Sequence, residues 1–126
     1  YWSNVWNTKG FSMSSWGGRP TEDMMWSAAF TDDTEWNEAA WGNIVKTDAT
    51  KRFNELVRAA RSELDFEKRK SMYWECQALC NYDGGAIVYA FNQYVGAGSK
   101  KLAHGDDVAG NWESDGNKIS ERWWFA

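Results

Sequence analysis

One proline and one histidine occur in 126 residues, with only two cysteines. A single imidazole, His104, excludes a zinc site built on two or three histidines. A Ser-His-Asp triad would have to use His104, with Asp106 or Asp107, yet no Gly-x-Ser-x-Gly elbow presents a nucleophile. His104 lies in a Gly/Asp-rich turn and reads as a solvated loop residue. Cys76 and Cys80 stand at i, i+4, which is not the thioredoxin spacing, and zinc would need further ligands. They read as two small core residues. A local disulfide is the alternative, and it would require the helix to end near Cys80, because a bridge inside a regular helix is strained.

Basic charge is not in excess: 14 Lys and Arg face 18 Asp and Glu, for a net charge of −4. That disfavours binding to nucleic acid or to an anionic membrane surface, which takes clustered cations. Residues 51–75 carry 7 basic and 5 acidic groups, but the two signs interleave, as on solvated helix faces. No apolar run approaches the roughly 18–20 residues of a membrane span. Carboxylates are plentiful, yet Asp32-Asp33 and Asp106-Asp107 sit in polar surroundings that give no reason for a raised pKa. Gly96-Ala97-Gly98-Ser99-Lys100-Lys101 follows a predicted strand but lacks a third glycine and a following helix, so it reads as a plain turn and not a phosphate loop. No cofactor is implied.

Aromatic residues are abundant. They make up 17% of the chain, and 10 are tryptophan. That content argues against intrinsic disorder. It also exceeds what one small core needs, so some of the Trp should line a ligand surface or a contact with a partner. The opening Tyr1-Trp2-Ser3-Asn4-Val5-Trp6 reads as an interior strand, and we expect the chain to be a piece of a larger protein.

Along the chain, alternation over 11–16 predicts a strand with one buried side. Pro20 suits a helix start, and a short helix follows over 21–30 with Glu22 and Asp23 in its first turn. Phe53, Leu56, Val57, Ala60 and Leu64 form an apolar stripe over 49–63, with Asp48 able to cap it. Met72, Tyr73, Cys76, Leu79 and Cys80 form a second stripe over 66–81, capped by Asp65 and ended by Gly84-Gly85. The short spacing predicts an antiparallel hairpin of these two helices. Ala86-Ile87-Val88-Tyr89-Ala90-Phe91 predicts a central strand. Strands and helices mix without a repeated βαβ unit, which gives an α+β class.

The zone from Trp16 to Asn43 is the most informative for function. Trp16, Trp36 and Trp41 supply flat apolar walls, and Asn37 supplies amide donors and an acceptor. Arg19, beside a predicted helix N-terminus, favours an anion such as a carboxylate. Trp16, Arg19, Trp36, Asn37 and Trp41 are therefore the candidate ligand-binding residues; the alternative is that the Trp are core groups and Arg19 a surface ion-pair partner.

At these residues a family resemblance emerges. Phe-Ser-Met-Ser-Ser-Trp-Gly-Gly-Arg-Pro-Thr-Glu-Asp (11–23) resembles a segment of the family 5 extracellular solute-binding proteins of ABC transporters, the dipeptide and oligopeptide binders. Trp36-Asn37-Glu38, Trp41-Gly42-Asn43 and Arg52-Phe53-Asn54-Glu55-Leu56 continue in that family's order. So do Glu63-Leu64-Asp65, Arg69, Tyr73, Gln77 and Asp83-Gly84-Gly85. The ending from Gly110-Asn111-Trp112 to Glu121-Arg122-Trp123-Trp124-Phe125 is similar to one subgroup's C-terminus.

The resemblance implies a two-lobed periplasmic protein, or one lipid-anchored outside the cell, that closes over a peptide-like solute and hands it to ABC permease subunits. It implies no enzymatic activity. Residues 1–126 would be one C-terminal fragment with a mixed sheet and a helical hairpin. Residues 1–98 would belong to the ligand-binding lobe, and 99–126 would return towards the N-terminal lobe. Contact with a membrane would come only through the permease or a lipid anchor.

Two departures stand out. The dipeptide binders carry an Asp shortly after the strand-end Trp, where this chain has Gly17-Gly18-Arg19. That reverses the charge preference towards an anionic solute. Residues 44–50 resemble an insertion that lengthens a surface loop at little cost. A Trp-rich carbohydrate-binding module is the alternative reading, although such modules favour β-sandwiches and the helical hairpin argues against one. A small Asp/Glu hydrolase is a third.

Overall fold

A computed structural model describes residues 1–93, 95–110 and 112–126. Asn111, in the expected C-terminal segment, lies outside the described residues. The described residues form an α+β arrangement of five helices and a two-stranded sheet. The chain divides into two compact units. The first comprises Tyr1–Ser15 and Thr21–Val88; the second comprises Trp16–Pro20 and Tyr89–Ala126.

The first unit is helical. Helix α1 spans Glu22–Ala29 and is capped by Thr21, whose hydroxyl accepts from the Met24 N–H at 3.4 Å. Glu22 and Asp23 occupy its first turn, the sign the helix dipole favours. Helix α2 spans Asp48–Ala60. Its cap is Thr47, one residue before the expected Asp48. The Thr50 N–H donates to the Thr47 hydroxyl at 3.2 Å, and the Thr47 N–H donates to the Thr50 hydroxyl at 3.0 Å. This reciprocal pair satisfies two otherwise orphaned donors. Helix α3 spans Phe66–Asp83, with Asp65 capping through the Lys68 N–H at 3.0 Å.

The stripes predicted for α2 and α3 meet in the core. Phe53, Leu56, Val57, Cys76 and Cys80 are buried together with Trp41. Trp26 packs edge-on against Phe53, with ring centroids 5.4 Å apart. Leu64 is a correction: α2 ends at Ala60, and Leu64 stands exposed in the connection to α3. Ion pairs staple the surface, with Arg52 to Glu75 at 2.7 Å across the hairpin and Arg61 to Asp23 at 2.7 Å onto α1.

Three predicted strands are absent. Residues 1–6 form turns closed on the Tyr1 carbonyl, residues 11–16 are irregular, and residues 86–91 run without a ladder partner. A strand needs a neighbour to satisfy its backbone, and among the described residues none pairs with these segments.

The second unit holds the sheet. Strand β1 (Leu102–His104) pairs antiparallel with β2 (Trp123–Phe125), setting His104 opposite Trp123. Their rings lie 4.5 Å apart, so His104 ends a strand instead of lying in a loop, and it is solvent-exposed as expected. Between the strands lie α4 (Glu113–Asn117) and α5 (Ile119–Arg122). Ser114, Asp115, Gly116 and Asn117 all have left-handed backbone, which makes α4 a tight left-handed turn. Gly, Asn and Asp are the residues that adopt this conformation most readily. Residues 96–98 are irregular and lead into a turn over 99–102, in which the Leu102 N–H donates to the Ser99 carbonyl at 2.9 Å.

Candidate functional site

The five candidate residues fall in both units, and each unit treats them differently. In the first, Asn37 is 3% exposed and Trp41 is 2% exposed. The Asn37 amide donates to the carbonyls of Phe30 (3.1 Å), Thr31 (3.3 Å) and Trp41 (2.6 Å), and its oxygen accepts the Trp41 N–H at 3.3 Å. One side chain thus ties the end of α1 to the loop that delivers Trp41. The Trp41 indole N–H donates to Asp83 at 2.8 Å, and its ring packs 4.8 Å from Phe53. Both residues are structural in this unit. Neither has surface to offer a ligand, which corrects their expected role as binding residues. Trp36 is 52% exposed in the same loop and keeps an accessible indole.

Asp83, named from the sequence only within the Asp83-Gly84-Gly85 segment and not as a site residue, anchors that arrangement. It also accepts the Thr47 hydroxyl at 2.8 Å. The indole of Trp41 and the hydroxyl of Thr47 hold its carboxyl below the usual carboxylate range.

Cys76 and Cys80 are free and buried. Burial pushes their thiols up to about 12 and about 11. Thiolate chemistry is therefore suppressed at neutral pH.

In the second unit, Trp16 and Arg19 are half-buried. The Arg19 guanidinium lies over the Trp112 ring, 5.2 Å from its centroid. Its Nη1 donates to the Gly17 carbonyl at 2.8 Å and to the Gly18 carbonyl at 3.2 Å. Among the described residues Arg19 has no carboxylate partner. Sequence reasoning missed Trp112 as its platform, because 93 residues separate the two and no short motif links them.

Asp115 is the other organised group here. It accepts from the Ala109 N–H (2.6 Å), Arg122 (2.9 Å) and the Trp123 indole (3.0 Å). The Ala109 amide is the largest cause of its lowered pKa. The Ser-Asp-Gly-Asn run at 114–117 is the turn signal that could have found it.

Two hollows open on the surface of the described residues. One, of about 580 Å³, lies open along the α2–α3 hairpin over Leu56, Ala59 and Met72, rimmed by the Arg52–Glu75 pair. The other, of about 280 Å³, is lined by Asp106, Asp107, Asp115, Arg122 and Trp124. Among the described residues, no group of three or more His, Cys, Asp or Glu is placed to hold a metal, and no helix is long and apolar enough to cross a membrane.

No family model, curated protein or solved structure matches the chain.

Proposed function

We propose that this chain is the C-terminal part of the substrate-binding component of an ABC importer. It would work in the periplasm, capturing a peptide-like or other small anionic solute for delivery to permease subunits, without catalysing a reaction. One observation carries the reading: Arg19 is a half-buried guanidinium held by two backbone carbonyls and an indole face, with no carboxylate partner among the described residues. Such a guanidinium can take an anion on its remaining donors, and a solute would supply one. The ordered series of segments from Trp16 to Asp83 supports the family assignment, and Arg19 in place of an acidic residue supports the preference for an anion.

The test is native mass spectrometry of the full-length receptor, to identify the solute carried through purification. A peptide-like or anionic molecule is expected; an oligosaccharide would sink the reading in favour of a carbohydrate module. In the same receptor, Arg19→Asp should weaken an anionic ligand by about tenfold or more, as for a charge-assisted contact. Unchanged affinity would remove Arg19 from the site.

A further inference from the structure

We propose that Arg19 and Trp112 together form a seat for one planar carboxylate, with Trp112 as the positioning residue. This rests on the solute-binding reading and narrows its ligand class. Arg19 carries five N–H donors in a rigid plane. Both donors of Nη1 are engaged, by the Gly17 and Gly18 carbonyls. The edge formed by Nε and Nη2 is left, and that edge presents two parallel N–H groups to a carboxylate in a bidentate fork.

Three contacts fix where this edge points. The two carbonyls set the rotation of the guanidinium, and its Cζ lies over the Trp112 ring, 5.2 Å from the centroid. An indole is the strongest aromatic partner for a guanidinium, and partial burial strengthens the attraction. Shielding by the ring also lowers the local dielectric, so an anion bound at the edge is screened less than at an open surface.

Charge sets the class of ligand. Arg19 is partnered by two carbonyls and one indole. The other arginine of the unit, Arg122, is already paired with Asp115 at 2.9 Å. A single positive charge balances a monoanion; a phosphate dianion calls for more. The geometry therefore favours a carboxylate, such as the C-terminus of a short peptide or an organic acid.

The test is an NMR titration of the 126-residue chain at fixed ionic strength, following the Arg19 Nε–H and Trp112 Nε1–H signals. Sodium acetate and N-acetylglycine are the carboxylate probes, N-acetylglycinamide the neutral control and sodium phosphate the dianion. Both signals should shift saturably with the carboxylates and not with the amide. Arg19→Gln should abolish the response. Trp112→Leu should weaken it by about tenfold, the scale of a shielded cation–π contact, while Trp112→Phe restores most of it. Melting curves confirm that each variant is folded.

An equal response to the amide overturns the seat. So does a Trp112→Leu variant that binds as the parent does. Tighter binding of phosphate than of acetate overturns the carboxylate assignment and leaves the anionic-solute reading standing. A neutral solute carried by the full-length receptor defeats that broader reading even where acetate still titrates Arg19, so the two failures are distinguishable.

Discussion

Gly84 closes α3 where a side chain has no room. A Cβ built there would lie 2.5 Å from the Cys80 carbonyl oxygen and 2.9 Å from both Cα and Sγ of Cys80. Two of those atoms are backbone and cannot swing aside. Gly84→Ala should therefore destabilise the chain by about 1–3 kcal/mol, the usual cost of overpacking, read as a lowered midpoint in urea. An unchanged midpoint would mean that the end of α3 is looser than its packing indicates. The neighbouring thiols give a second measurement. Cys76 and Cys80 should resist iodoacetamide in the native state and react quickly in denaturant; fast labelling without denaturant would contradict their burial. Their placement was legible in the sequence, because i, i+4 spacing within an apolar stripe puts both on one helix face. Asn37 and Trp41 were legible only as residue types. A sequence displays an amide and an indole, but not the carbonyls of residues 30, 31 and 41 that saturate one, nor the Asp83 carboxylate that takes the other.

Helices α1, α2 and α3 were readable because period and caps are local properties. The strands were not, because pairing is non-local: 11–16 and 86–91 have the alternation or apolar character of strands and find no ladder among the described residues. The left-handed turn at 114–117 escaped a period-based reading for the opposite reason, since it has no period. The same scale yields a pH dependence. Asp83 ends α3, where the helix dipole opposes a negative charge. Its two donors, Trp41 and Thr47, more than offset that and depress its pKa. The folded carboxyl holds its proton less tightly than the unfolded one. Its contribution is therefore complete above the ordinary Asp value of roughly 3.9 and is lost as pH falls through the lower folded value. Wild-type stability should decline over that acidic window. Asp83→Asn should be less stable at neutral pH and show a shallower decline below pH ~4. Parallel pH profiles for the two proteins would show that the linkage lies elsewhere.

One uncharged stretch stands open to solvent among the described residues. Ile87 is 81% exposed and Phe91 is 90% exposed, with Val88 and Tyr89 also largely open to solvent. Residues 84–99 contain no Asp, Glu, Lys, Arg or Pro. Uncharged, β-prone backbone with open hydrogen-bonding groups is a template for strand addition, and nothing in this span opposes it by repulsion or by a missing N–H. A neighbouring strand from elsewhere in a larger protein would cover it, as the solute-binding reading expects of a ligand lobe. In the 126-residue chain alone, the available partner is the same segment of another copy. The isolated chain should therefore self-associate with rising concentration, giving thioflavin-T-positive material. Ile87→Lys should suppress this, because in-register pairing would stack like charges at the ~4.8 Å strand spacing. Ile87 is too exposed for the change to cost core packing, so its melting point should match wild type. Equal association by wild type and Ile87→Lys would exclude this segment as the contact. A wild-type chain that stays monomeric in sedimentation at high concentration would mean that these residues are shielded by the chain itself.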